Sequence, residues 1–199
     1  CGVIIADKIL SEEIKPFAET LIEECKIIKW FFIRYNDTNG THFRLRFELS
    51  HVKFISEIAD KINQLGKQWI QSGLVHKIQN DTYNREIERY GSSTMALSEE
   101  LFYFDSKSIL NFISLIEGDD GERLRWLFAL KYIDSVMDSF DLNLEQKIEF
   151  SGNCSAGFLK EFGGAKQTKD EINKIYREQK DLIQIFLSED HAEDEEFEI

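Results

Sequence analysis

What this 199-residue chain has little of narrows it first. It holds a single proline, Pro16, and 11 glycines, which excludes long flexible linkers. It holds three cysteines, Cys1, Cys25 and Cys154, an odd number at wide spacings that forms neither a disulfide framework nor a zinc pattern. Reduced thiols and a cytoplasmic location are the resulting expectation. No run reaches the roughly 18 apolar residues of a membrane-spanning helix, and no signal peptide is recognised. Positive charge is also scarce: 24 Lys and Arg stand against 37 Asp and Glu, a net charge of −13. Phosphate backbones are gripped by clustered Lys and Arg, so direct nucleic-acid binding is not expected.

What the chain does have is apolar and aromatic mass: 42% hydrophobic residues and 16 Phe. That is enough for one domain with a sizeable core, expected over 1–187. The start at Cys1 rather than Met, running directly into apolar residues, reads as the interior of something longer, incomplete at both ends. Ser188–Ile199 carries seven acids in twelve positions and reads as a solvated tail or a loop.

Periodicity sets the elements. Asp7–Glu24 places Ile9, Leu10, Ile14, Phe17, Ala18, Leu21 and Ile22 at helical spacing, with Pro16 near the helix start or kinking it. Ile27–Tyr35 and His42–Leu49 are rich in β-branched and aromatic residues, and Asn39-Gly40 lies between them, which predicts a hairpin. Ser50 is placed to cap the next helix, whose stripe is Ile55, Ile58, Ile62, Leu65 and Trp69. Ser72-Gly73 ends it, and Leu74–Asp81 reads as a short third strand. Helices are then expected over Ser98–Ile116, Gly121–Phe140, Asn143–Phe150 and Thr168–Leu187, with a loop at Gly163-Gly164. The predicted class is α+β: a small antiparallel sheet with flanking helices and a mostly helical C-terminal half.

Two arginine-bearing segments could carry chemistry. In the second strand, alternation puts Phe43, Leu45, Phe47 and Leu49 on one face, which must be buried, and His42, Arg44, Arg46 and Glu48 on the other. Arg44 and Arg46 then project in parallel about 6.5–7 Å apart, and guanidinium forks suit carboxylates. An ordinary amphipathic strand has the same pattern. In Tyr83-Asn84-Arg85-Glu86-Ile87-Glu88-Arg89-Tyr90-Gly91, Glu86 and Arg89 are three apart, so a helix would let the carboxylate orient the arginine or act as a base. Routine helix salt bridges look the same. Gly91 suggests a sharp stop or a close backbone approach.

The isolated His51 and His76 read as surface or structural residues. Asp119-Asp120-Gly121-Glu122 lacks the alternating ligands of a calcium loop and reads as a turn with a helix start. Trp126, Phe128 and Tyr132 read as core, and Asp105-Ser106 as a helix-start signal.

Together and in order, Trp30-Phe31-Phe32-Ile33-Arg34-Tyr35, His42-Phe43-Arg44-Leu45-Arg46, Tyr83 with Glu86-Ile87-Glu88-Arg89-Tyr90-Gly91, and Glu99-Glu100-Leu101-Phe102 with Asp105-Ser106 carry a resemblance. The chain resembles the C-terminal domain of lantibiotic (class I lanthipeptide) dehydratases, also called the thiopeptide-type bacteriocin biosynthesis domain. The resemblance is closest over about residues 7–106. It implies a lyase that eliminates glutamate from glutamylated Ser or Thr of a precursor peptide, leaving dehydroalanine or dehydrobutyrine. By the resemblance, Arg44, Arg46, Glu86 and Arg89 are the catalytic candidates, with His42 and Tyr90 as substrate-binding candidates. The implied partners are the precursor peptide and a glutamyl-tRNA-dependent glutamylation domain, fused or separate; a homodimer is implied by the resemblance alone. No metal or other cofactor is implied.

The sequence departs from the family by lacking a His-Met-x-x-Asn-Arg-like segment near its end. His191 sits in an acidic run without those neighbours and takes no role from the resemblance. Two other readings share the domain type: a [4+2] pyridine synthase of thiopeptide biosynthesis, and a non-catalytic module that docks a peptide or a partner enzyme.

Overall fold

The computed structural model describes residues 2–38, 40–116, 120–161, 164 and 166–188. The acidic run after Ser188, including His191, lies outside the described residues, as do Asn39, Asp119 and Gly163. The chain divides into two compact units, Cys1–Leu115 and Ile116–Ile199. The division also separates the charge: 16 acidic residues face 14 basic ones up to Leu115, against 21 and 10 beyond it. The strongly negative balance therefore belongs to the second unit.

In the first unit, α1 (Val3–Lys8), a π-helical stretch (Ile9–Ile14) and α2 (Lys15–Glu23) form one continuous helical run. It begins earlier than the expected Asp7. Pro16 lies in the first turn of α2, just past the π stretch. A proline ring collides with the carbonyl four residues back in a regular helix, and the widened turn directly ahead accommodates it without ending the run. Cys25 takes positive φ (+54°), and Lys26 N–H donates to the Leu21 carbonyl at 2.9 Å, which closes α2 and turns the chain into the sheet.

The sheet is one hairpin, β1 (Ile27–Asp37) and β2 (Gly40–Leu49), antiparallel, with Trp30 opposite Phe47, Phe32 opposite Leu45 and Arg34 opposite Phe43. Those residues share one face. Trp30 is buried, and Phe32, Phe43, Leu45 and Phe47 are half-buried against a core of Ile9, Leu10, Ile14, Leu21, Ile58, Trp69 and Leu110. Phe17 of α2 meets Phe47 edge-on at 6.3 Å. The β2 apolar face thus lies where alternation put it, half-buried rather than fully closed.

Three local readings are corrected. Leu74–Asp81 is not a strand among the described residues: Leu74, Val75 and Ile78 pack on the core without a pairing partner. Ile78 lies so close over Gly66 that a Cβ there would collide with its side chain. Ser50 does not cap the next helix. Its hydroxyl donates to the Cys25 and Lys26 carbonyls at the hairpin base (2.6 and 3.1 Å), and His51 caps the 3-10 turn Val52–Phe54 by accepting from Lys53 N–H at 3.1 Å. Asp105-Ser106 does not start a helix; it lies inside α5 (Met95–Leu115). The buried Ser106 hydroxyl accepts the Phe32 N–H at 3.1 Å, so α5 covers part of the outer edge of β1.

α3 (Ile55–Gln71) buries Ile58 and Trp69 of its expected stripe and half-buries Ile62 and Leu65, while Ile55 in its first turn is exposed; Trp69 Nε1 donates to Glu13 at 2.8 Å. In the second unit, α6 (Asp120–Ser139), α7 (Leu144–Glu161) and α8 (Lys166–Leu187) follow. α7 opens with a reciprocal cap: Gln146 N–H donates to Asn143 Oδ1 at 3.0 Å, and Asn143 N–H donates to Gln146 Oε1 at 2.9 Å. It runs past the expected end at Phe150, because isolated glycines such as Gly152 and Gly157 cost about 1 kcal/mol each without breaking a helix. Half-buried Phe128 and Tyr132 stack at 5.7 Å.

Candidate active site

The second face of the hairpin carries Lys29, Phe31, Ile33 and Tyr35 from β1 opposite Glu48, Arg46, Arg44 and His42 from β2. Arg44 and Arg46 do project together, as the alternation requires. The chain then returns past this face as an irregular segment, 79–86, followed by the single-turn α4 (Ile87–Tyr90).

Two aromatic contacts link the arginine segments. The Arg46 guanidinium lies 5.4 Å from the Tyr83 ring centroid. Phe31, opposite Arg46, meets Tyr83 edge-on at 5.7 Å and Phe102 of α5 at 5.3 Å, and Phe102 meets Tyr90 edge-on at 5.4 Å. The aromatic row Tyr83–Phe31–Phe102–Tyr90 therefore ties β1, the irregular segment, α4 and α5 together. It places Tyr90 in that wall.

Arg44 stands over the Tyr35 ring at 4.0 Å, and His42 stacks on the same tyrosine at 5.6 Å with an interplanar angle of 12°. His42 Nδ1 is 3.0 Å from the Gly40 carbonyl. Glu86 is the residue capping α4 rather than a helical one, yet its carboxylate still meets Arg89 Nη1 at 3.3 Å, and both side chains are exposed. Arg89 also lies 5.3 Å from the Tyr90 ring. Gly91 ends α4 with φ +79° and ψ 147°, a conformation open essentially to glycine alone, and a Cβ there would meet Thr94 Oγ1 at 2.9 Å.

The structure sorts arginines that the sequence left equivalent. Arg34 faces the core side and is paired with the buried Asp7. Arg85 forms a two-pronged fork with Glu99 of α5, both bonds 2.8 Å. Arg44 and Arg46 have no carboxylate partner among the described residues; Arg46 Nη1 donates instead to the Leu45 carbonyl at 2.9 Å. Arg44 is exposed and Arg46 half-buried, each guanidinium over an aromatic ring. Such rings support a cation without consuming its hydrogen-bond donors in a salt bridge.

Three further groups lie at the site that the sequence reading assigned no role. Glu99 is buried (7% exposed) and holds Arg85, whose guanidinium it keeps more firmly protonated. Burial first, and then the negative charge of Glu99, pushes the Tyr83 phenol up to about 12, so it stays protonated. Lys29 is buried at 9% exposure between Glu48 (3.2 Å) and Glu100 (3.3 Å). Burial opposes its charge, but the hydrogen bonds to those two acids outweigh it and hold its amine above the ordinary lysine range. Tyr83 and Glu99-Glu100 stand among the segments that carry the resemblance, but periodicity alone reads the acid pair as a helix surface and gives Lys29 no signal. Among the described residues, no group of three or more His, Cys, Asp or Glu could hold a metal, and no helix is long and apolar enough to cross a membrane.

A family model described as "Lantibiotic biosynthesis dehydratase C-term" matches residues 1–196. The subtilin biosynthesis protein SpaB of Bacillus subtilis is 29% identical over 151 residues, which is 75% of this chain and 14% of that protein. The nisin biosynthesis protein NisB of Lactococcus lactis subsp. lactis is 33% identical over 93 residues, 46% of this chain and 9% of that protein. The match thus spans about a seventh or less of either relative's length. Among solved structures, the tRNA-dependent lantibiotic dehydratase MibB from Microbispora sp. 107891 superposes with a TM-score of 0.51 at 29% identity, covering 57% of this chain and 11% of that one. TsrL superposes with a TM-score of 0.58 over 92% of this chain and 55% of its own, at 16% identity, a likeness of fold alone.

Proposed function

The chain belongs to the lantibiotic biosynthesis dehydratase C-terminal family, and on that footing we propose that its arginine-lined face eliminates glutamate from glutamylated Ser or Thr of a ribosomal precursor peptide. The observation that carries the reading is the state of Arg44 and Arg46: adjacent on one face, backed by Tyr35 and Tyr83, and without an acid of their own among the described residues.

The chemistry asks for such a pair. A base takes the Cα proton of the modified residue, the electron pair forms the Cα=Cβ bond, and the Cβ–O bond breaks to release glutamate as its carboxylate. Negative charge develops on the peptide carbonyl oxygen and on the departing carboxylate. Guanidinium forks fixed in advance stabilise both where they form. Arg44 and Arg46 take the glutamyl carboxylates and the enolate-like oxygen. Arg89 adds to the clamp, oriented by Glu86 at 3.3 Å. The product is dehydroalanine or dehydrobutyrine. The substrate is supplied by a glutamyl-tRNA-dependent glutamylation unit, fused or separate, in the cytoplasm, and the elimination itself requires no oxidant or reductant.

The test is mass spectrometry of a peptide bearing a glutamylated serine, incubated with the chain. Loss of glutamic acid with appearance of the dehydro-residue is the expected result. Peptide bound but left intact sinks the lyase reading in favour of docking.

A further inference from the structure

Between Gln79 and Glu86 the chain crosses the site without regular secondary structure. Side chains hold it instead. The fork between Arg85 and Glu99 fastens it to α5, and two residues before that fork the Tyr83 ring packs edge-on against Phe31. Two contacts of different chemistry, on two other elements, thus set one aromatic ring. The face of that ring lies 5.4 Å from the Arg46 guanidinium.

The two candidate arginines differ here. Arg44 rests on Tyr35, which belongs to the same hairpin, so its orientation is decided within β1 and β2. Arg46 rests on a residue of another segment, and its hydrogen bond among the described residues goes to the carbonyl of its own neighbour Leu45. A long side chain with one backbone bond keeps several orientations open, and the ring removes most of them.

We propose that Tyr83 is a positioning residue for this site: anchored to α5 through Glu99 and Arg85, it holds the Arg46 guanidinium in the orientation in which it meets the substrate. The proposal deepens the elimination reading and rests on it for its kinetic readout, whereas its geometric readout stands without it.

The geometric readout is the NMR signal of the Arg46 side-chain Nε–H, assigned by its loss in Arg46→Lys. A guanidinium over a ring face carries a ring-current shift. Tyr83→Leu removes that shift at Arg46 and leaves the Arg44 signal over Tyr35 in place, whereas Tyr83→Phe retains it. An Arg46 signal unmoved by Tyr83→Leu overturns the proposal. Should Tyr83→Leu fail to fold, Glu99→Gln, which loosens the anchor while keeping shape, must broaden or move the same signal, and an unchanged signal again overturns it.

The kinetic readout uses the glutamylated-serine peptide. Tyr83→Leu is expected to lower kcat roughly tenfold or more through misplacement of the guanidinium, and Tyr83→Phe to restore most of it. Adding Tyr83→Leu to Arg46→Ala should cost nothing further, because the two act as one unit. Fully additive losses overturn positioning through Arg46. A wild-type chain that eliminates no glutamate counts against the lyase reading alone, and the NMR shift then decides the proposal.

Discussion

The carboxylate of Glu99, buried on α5, receives both prongs of the Arg85 fork at 2.8 Å, and this pairing separates a structural arginine from the candidate site's Arg89 four positions on. It anchors a segment that has no backbone ladder. Arg85→Lys is therefore expected to weaken the site although it preserves the charge, since an ammonium cannot reproduce the two parallel bonds. A lowered elimination rate with a lowered thermal midpoint supports this; a variant equal to wild type in both removes the anchor.

Arg44→Lys and Arg46→Lys test the fork more sharply than alanine. Each is expected to lose about 10²–10³-fold in the elimination step, the scale of removing a positioned donor from a developing oxyanion. Arg85→Lys should act through folding, so only the two β2 variants should lose rate at an unchanged unfolding midpoint. The readout is glutamylated peptide accumulating in the mass spectrum, and normal dehydration by both variants ends their assignment.

Ser106→Ala removes the acceptor of the Phe32 N–H from a buried position at the sheet edge. An unsatisfied buried donor costs about 1–3 kcal/mol. The measurement is the urea midpoint, with exchange of the Phe32 amide as the local check; full protection of that amide in the variant contradicts the edge-capping role.

Lys29 offers a contrast in sign. Lys29→Met leaves two acids that already reach water, so it should change stability by no more than about 1 kcal/mol, since apolar replacement of a buried ion is often neutral. Glu48→Gln with Glu100→Gln leaves the buried ammonium without either carboxylate and should cost more, though less than the roughly 3–5 kcal/mol of a fully buried pair. The reverse order in denaturant unfolding contradicts the ionic account.

Tyr83 predicts an alkaline signature. Its folded phenol titrates near 12, above the ordinary value near 10, so the bound proton contributes stability that is fully present below about pH 10 and lost as pH rises towards 12. Ultraviolet titration should show one of the six tyrosines ionising late, a component absent from Tyr83→Phe. All tyrosines of the wild type ionising together near pH 10 refutes it.

Much of the architecture was already decided by local pattern. Alternation in His42–Leu49 sends Arg44 and Arg46 to one face, and the helical stripe turns Ile58, Ile62, Leu65 and Trp69 inward though its first member, Ile55, is exposed, because both periods are properties of the backbone itself. Gly40 opens β2 with φ +82°, and Gly91 marks a conformation other residues resist. The order of these segments also carried the family resemblance. Where local pattern misled, a competing long-range contact explains it: Leu74, Val75 and Ile78 look like a strand but pack on the core with no pairing partner among the described residues, and Ser106 looks like a helix start but serves the Phe32 amide from mid-helix.

The site divides the same way. The residue types and their spacing marked Arg44, Arg46, Glu86 and Arg89. Only the tertiary structure decided that Arg34 and Arg85 are bound to buried acids while Arg44 and Arg46 are left on tyrosine rings. An arginine's role depends on whether a carboxylate reaches it, and Asp7 and Glu99 reach theirs across 27 and 14 positions of sequence, through packing that no local period encodes.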